Sequence, residues 1–238
     1  MGLAMAQQLL RPGHALVCIS RHRNPDLADM ATRASATLEQ WEQDLSHGEQ
    51  AAHTLRSWLT AQGPTAFASA TLINNAGVIP RIAPLSASDP ADLANALRVG
   101  LEAPMLLTAA FLHATRDWRG ARKVLNISSG MGRRAMASQA GYCAAKAGMD
   151  HFTRSLALDE ALVPNGAKVC SLAPGTIDTD MQVQLRGADA AAFPDHGRFE
   201  RLKDEGQLSS ADEAARQVLA YLARPDFGAE PVADVRQP

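Results

Sequence analysis

Lys123-Val-Leu-Asn-Ile127 runs into Ser128-Ser129-Gly130, and a stretch from 139 to 162 then opens with Gln139-Ala-Gly-Tyr-Cys-Ala-Ala-Lys146. The first segment has the length and apolar character of a buried strand closed by a turn, and the second carries apolar residues at helical spacing. Another apolar run, 167–172, stops at Pro174-Gly175. A strand, a long helix and a second strand form a βαβ unit, the connection that parallel strands require.

The same alternation extends outward from this unit. Toward the N-terminus lie a strand at 70–73 ending in Asn74-Asn-Ala-Gly77, a helix at 48–61, a weaker strand ending near Asp44, a helix at 26–33, and a strand at 15–19 ending in Ser20-Arg21. A first helix, 1–11, is stopped by Pro12-Gly13, and a Pro-rich connection after Gly77 leads to helices at 92–99 and 103–115. Beyond Gly175 a Phe-, Pro- and Gly-punctuated stretch to 206 reads as short helices, followed by a helix at 211–223 and a closing strand at 231–235. The pattern predicts an α/β fold, a Rossmann-type doubly wound parallel sheet between two helical layers. Ligands of such sheets bind beyond the carboxyl ends of the strands. Ser20-Arg21, Asn74 to Gly77, Ser128-Ser129 and Pro174 to Thr179 each follow a strand directly, so they are expected to converge on one crevice.

Composition fits one domain over residues 1–238. Hydrophobic residues are 46% and charged residues 20%, with a formal net charge of −2, so neither disorder nor polycationic nucleic-acid binding is indicated. Cys18, Cys143 and Cys170 are far apart and form no C-x-x-C or Cys/His cluster, which disfavours disulfides and a metal site and suits a reducing compartment. No apolar run reaches the roughly 18 residues of a membrane span, and the start lacks the pattern of a signal peptide. The expected location is the cytoplasm.

Chemistry centres on Tyr142 and Lys146, four residues apart and hence on one helix face. A phenol titrates near 10 and needs a neighbouring cation to exchange a proton near neutrality; Lys146 is placed to supply it. Ser129, at the end of the preceding strand, offers a hydroxyl for a substrate carbonyl oxygen. Taken singly, the pair is equally a solvated lysine beside a half-buried tyrosine, and Ser128-Ser129-Gly130 an ordinary turn.

Together, Asn74-Asn-Ala-Gly77, Ser129, Tyr142-x-x-x-Lys146 and Pro174-Gly-Thr-Ile-Asp-Thr179 resemble the short-chain dehydrogenase/reductase superfamily. The resemblance runs from Gly2 to about residue 223. It implies an NAD(P)-dependent oxidoreductase in which Tyr142 is the general acid of carbonyl reduction, Lys146 holds the nicotinamide ribose and lowers the Tyr142 pKa, and Ser129 orients the carbonyl. It places Asn74, Ala76 and Gly77 under the cofactor's adenosine half and Asp44-Leu45 against adenine. Pro174, Gly175, Ile177 and Thr179 would line the nicotinamide side. Asp44 as a helix N-cap and Pro174-Gly175 as a turn remain open readings. Where a site preferring NAD(H) puts a carboxylate for the ribose 2′-hydroxyl, this chain has Ser20-Arg21-His22-Arg23, which favours a 2′-phosphate and hence NADP(H).

The narrower likeness is to the sepiapterin reductase and benzil reductase-like enzymes, on Leu125-Asn-Ile-Ser-Ser-Gly130, Pro174 to Met181, Phe193-Pro and Arg198-Phe199. It implies a substrate lid over about 181–206 and an apolar or aromatic ketone or diketone as substrate. Met131, Met136, Met181, Leu185, Phe193 and Phe199 would form an adaptable wall, or ordinary core. Family habit also suggests a homodimer or homotetramer built partly on helix 139–162, through Ala144, Ala147, Phe152, Leu156 and Leu158. Two features depart from the pattern. The T-G-x-x-x-G-x-G turn is represented only by Gly2, so the first strand, which lies mid-sheet, is expected to be missing; and Gly100 stands where the family usually has asparagine. These motivate a second reading, a catalytically idle dinucleotide-binding or scaffold protein, against which the joint presence of Ser129, Tyr142 and Lys146 argues.

Overall fold

Chain signals that set helix starts are visible in the computed structural model, which describes residues 1–237. Asn24 accepts from the Leu27 amide at 2.9 Å and Pro25 occupies the first position of α2 (Pro25–Arg33). Asp89 caps α4 (Pro90–Leu97) in the same way, and Ser210 accepts from Glu213 N at 3.1 Å at the head of α9 (Ala211–Ala223). Each cap satisfies amides that the helix itself leaves without partners.

The remaining elements are α1 (Gly2–Leu9), β1 (Ala15–Ser20), β2 (Thr37–Glu42), α3 (Gly48–Gln62), β3 (Ser69–Asn74), α5 (Ala103–Ala114), β4 (Ala121–Ile127), α6 (Ala140–Ala161), β5 (Lys168–Ala173), α7 (Asp180–Arg186), α8 (His196–Asp204) and β6 (Val232–Asp234). All strand pairing is parallel. Successive residues of β4 and β5 turn to opposite faces. Val124 and Val169 join Leu55, Leu59, Leu107, Phe111 and Leu156 of α3, α5 and α6. Leu125, Ile127, Cys170 and Leu172 join Met5, Val218 and Leu222 of α1 and α9. Both faces are thus covered, which explains why these strands read as continuous apolar runs.

The parallel sheet between helical layers is interrupted at the place of the expected missing strand: β1 and β2 make a two-stranded ladder, and β3-β4-β5-β6 a four-stranded one. The division falls between β1 and β3, where the resemblance puts the strand that precedes the glycine-rich turn. Its mark is legible in burial, because Leu16, Val17, Cys18 and Ile19 of β1 and Leu72 and Ile73 of β3 are only half-buried, whereas Val124, Leu125 and Ile127 of β4 and Val169, Cys170 and Leu172 of β5 are fully so. One expectation needs correction, that of two separate helices over 92–115. The chain stays helical throughout, α4 passing into α5 through a wider π turn at Arg98–Glu102 that contains Gly100. A Cβ at Gly100 would stand 3.2 Å from the Ala145 Cβ, so glycine lets this turn lie against α6.

Candidate active site

Three strands end side by side in polar residues. Asn74 of β3 is in register with Asn126 of β4, and Asn126 with Ser171 of β5. Asn74 Nδ2 donates to Asn126 Oδ1 at 2.8 Å and to Thr108 Oγ1 at 3.1 Å, while Asn126 Nδ2 donates to Thr153 Oγ1 at 2.9 Å. Asn74 Oδ1 is buried and has no partner, an open acceptor at the carboxyl edge of the sheet.

Next to this row the predicted trio comes together. Ser129 follows β4 in extended conformation, and its Oγ accepts from the Met131 amide at 3.2 Å, which fixes the turn at 130–132. Tyr142 and Lys146 share the inner face of α6 and are 6% and 3% exposed. Burial pushes the Tyr142 hydroxyl above its ordinary value, and the Ser129 hydroxyl beside it pulls the other way. Burial lowers Lys146 to about 8, opposed by the Asp150 carboxylate. Its ammonium donates to the Ile127 carbonyl at 2.8 Å and lies 5.8 Å from the centre of the Tyr142 ring. With the lysine turned toward a backbone carbonyl, desolvation dominates the phenol's pKa in this structure.

Of the residues expected to hold a cofactor, those after β3 adjoin the trio. A Cβ at Gly77 would make ordinary contact, 3.6 Å from Lys146 Nζ, whereas one at Gly2 would come within 2.7 Å of Asn75 Nδ2, so Gly2 lets α1 start against the turn after β3. Ala76 lies between these points, half-buried. Gly175, after buried Pro174, has a φ of +84° that glycine adopts freely. Ile177 bridges to Ser209, and Thr179 donates to the Ile177 carbonyl at 3.4 Å before α7 begins. Asp44 accepts from Ser46 N at 2.8 Å as the cap of the short turn Leu45–His47, which lowers its pKa. Ser20 and Arg21 are exposed at the end of β1, Ser20 Oγ donating to the His22 carbonyl at 2.8 Å.

Residues 1–190 match the family described as short chain dehydrogenase. This chain belongs to that family. Among its relatives, benzil reductase ((S)-benzoin forming) of Bacillus cereus is 30% identical over 227 residues, spanning 95% of this chain and 91% of that protein. Sepiapterin reductase of Meriones unguiculatus is 31% identical over 228 residues, 92% of this chain and 85% of that one. A short-chain dehydrogenase/reductase of known structure from Burkholderia vietnamiensis is 35% identical with a TM-score of 0.65, covering 100% of this chain and 92% of that one. The protein is an NAD(P)-dependent short-chain oxidoreductase.

In this short-chain oxidoreductase an apolar cluster includes Met131 and Cys143, near Ser129 and Tyr142 in the chain. Met136, Leu185, Phe193 and Phe199 are buried in it, with Ile79, Ile82, Met131, Cys143 and Met181 packed alongside. Phe193 and Phe199 stack with ring centres 5.6 Å apart, and Ser138 Oγ donates to the Ala192 carbonyl at 2.5 Å. All six residues assigned to a substrate wall are thus brought together. Ile79, Ile82 and Cys143 were not anticipated, although Cys143 adjoins Tyr142 and the two isoleucines follow the Asn74 to Gly77 turn. Sequence reading also passed over Asp150, which continues the Tyr142, Lys146 spacing by four more residues; a lone acidic residue among the buried positions of α6 was the available signal. Among the described residues no group of His, Cys, Asp and Glu is placed to hold a metal, and no helix is long and apolar enough to cross a membrane.

Proposed function

We propose that this protein is an NADPH-dependent carbonyl reductase acting in the cytoplasm on an apolar or aromatic ketone or diketone. The observation that carries the reading is the half-buried Ser129 hydroxyl beside buried Tyr142, whose chain neighbours Met131 and Cys143 pack into the apolar cluster, with the Lys146 ammonium one turn along α6. The cofactor's fit is supported by the open acceptor Asn74 Oδ1 and by the close approach of Gly77 to Lys146. Asn74, Ala76, Gly77, Lys146, Pro174, Gly175, Ile177 and Thr179 would hold it along the sheet edge, with Gly2 at the head of α1. Asp44, Leu45, Ser20 and Arg21 would meet its adenosine end. Reduced nicotinamide supplies the hydride. Ser129 holds the substrate oxygen, Tyr142 gives it the hydroxyl proton as the carbonyl carbon is reduced, and the Lys146 charge stabilises the phenolate left behind. Residues 181–206, carrying α7 and α8, act as the lid that keeps water from the reacting carbonyl. Two relatives that carry the names benzil reductase and sepiapterin reductase support an apolar, aromatic carbonyl. The test is NADPH oxidation against a panel of ketones and diketones; no turnover with any aromatic diketone would remove the reading.

Arg21 decides cofactor choice. It is exposed at the end of β1, close enough to Asp44 to lower that carboxyl's pKa, and makes no ion pair among the described residues. Its guanidinium is therefore available to a 2′-phosphate. Arg21→Glu is expected to move the ratio of kcat/KM for NADPH over NADH toward NADH by about 10- to 100-fold, one to two unit-charge interactions. Unchanged ratios would exclude this role.

Self-association as a homodimer or homotetramer is part of the same proposal, but on fewer α6 residues than expected. Phe152 and Leu156 pack into the chain's own core, leaving Ala144, Ala147 and Leu158, the last 72% exposed, with Leu97 and Met105 exposed on α4 and α5. Sedimentation velocity at micromolar concentration is expected to show no monomer as the main species.

A further inference from the structure

Asp150 is the deepest charge in the protein that the proposed reaction leaves without a task. It lies one turn beyond Lys146 and two beyond Tyr142 on one face of α6, 1% exposed. A buried carboxylate is costly unless it is paired and hydrogen-bonded, and this one is both. Its Oδ1 accepts from Ser128 Oγ at 2.6 Å and from Ser171 Oγ at 2.7 Å, and its Oδ2 faces Arg133 Nε at 3.3 Å. Arg133 in turn donates to the Ala233 carbonyl at 2.7 Å and stands 4.0 Å from Asp234. Arg236 occupies the far side of Asp234 with two bonds of 2.8 and 2.6 Å.

The placement matters because the residue before Ser129 is one of the donors. The turn after Ser129 also lies directly on Asp150: a Cβ at Gly132 would come within 2.8 Å of Asp150 Oδ2 and 2.9 Å of the Lys146 carbonyl oxygen. We infer that Asp150 is a positioning residue of this site, its carboxylate seating the turn that carries Ser129 and supplying the negative charge that keeps the buried Lys146 cationic. Charged groups around it are few. On α6 itself there is Lys146; from the turn after Ser129 there is Arg133, and from β6 and its end Asp234 and Arg236. On β5, Cys170 is held neutral by a pKa pushed up to about 12. The inference rests on the proposed role of Lys146, but it can be tested without turnover.

The chain has only four lysines, Lys123, Lys146, Lys168 and Lys203, so 13C-labelling of lysine Cε gives four resonances, and Lys146→Met assigns the one that matters. In the wild type that resonance is expected to titrate with a midpoint at about 8. Asp150→Asn keeps an oxygen that accepts from both serines but removes the charge, and is expected to lower the midpoint by about one pH unit. The alkaline limb of kcat/KM for reduction is expected to move down with it. Arg133→Gln, at a side chain 32% exposed, takes a cation from the same network and is expected to move the midpoint upward. A midpoint unchanged in Asp150→Asn would overturn the inference. So would equal downward shifts in both variants, which would mean that any disturbance of the network acts alike. A wild-type midpoint that responds as expected in a protein that turns over no carbonyl would leave Asp150 in place and remove the reductase reading instead.

Discussion

Tyr142→Phe is expected to lower kcat/KM for carbonyl reduction by about 10²- to 10⁴-fold, the usual worth of a positioned general acid. The substitution removes one oxygen from a ring that is 6% exposed and keeps the ring's packing. NADPH affinity should stay within about threefold, because the substitution removes the transferable proton and leaves the dinucleotide's other proposed contacts in place. Stopped-flow hydride transfer and a fluorescence titration of NADPH separate the two effects. A variant that keeps more than half of the wild-type rate would remove Tyr142 from the chemistry.

Lys146→Met should be as damaging to turnover and yet leave the fold intact or firmer. Loss of a buried cation next to a developing phenolate is expected to cost about 10²- to 10³-fold in kcat. The same charge is a burden on the folded state, since burial drags its pKa from 10.5 to about 8, a penalty of about 3 kcal/mol at neutral pH. Below pH 8 both folded and unfolded chains carry the proton and the penalty is complete. Between about 8 and 10.5 the unfolded chain holds it more tightly, so this lysine makes the wild type gain stability as pH rises through that window. Lys146→Met is expected to abolish that gain. Thermal melts from pH 6 to 10 on the two proteins check it, and a melting temperature several degrees below wild type at pH 7 would contradict the account.

Much of this was legible in the sequence, and what was missed has a physical source. Strands β4 and β5 announce themselves because burial on both faces gathers Val124, Leu125 and Ile127, and Val169, Cys170 and Leu172, into short apolar runs. Tyr142, Lys146 and Ser129 were found by spacing, since helix geometry alone puts residues four apart together. The continuity of 90–114 was hidden, because a glycine between apolar residues reads as a break, whereas here the π turn absorbs it against Ala145. Tyr142's raised pKa was hidden for a different reason. Spacing says that a lysine is near, but which acceptor it turns to, here the Ile127 carbonyl, depends on the packed structure. Asp150 escaped because its partners Ser128, Ser171 and Arg133 come from three other segments of the chain.

The division of the strands into two ladders carries a consequence for how the molecule breathes. An isolated pair of strands is marginal by itself, and β1-β2 leans mainly on a small cluster of Ala6, Leu10, Leu27 and Ala31, while β4 and β5 sit at the centre of the two larger clusters. Amide exchange in this protein should therefore run in two tiers, with 15–42 opening at a lower free energy than 121–127 and 168–173. Arg21 rides on the looser tier. Any ligand that engages it must close that tier first and in return slows its exchange, so deuterium uptake at 15–42 becomes a meter of cofactor occupancy that needs no turnover.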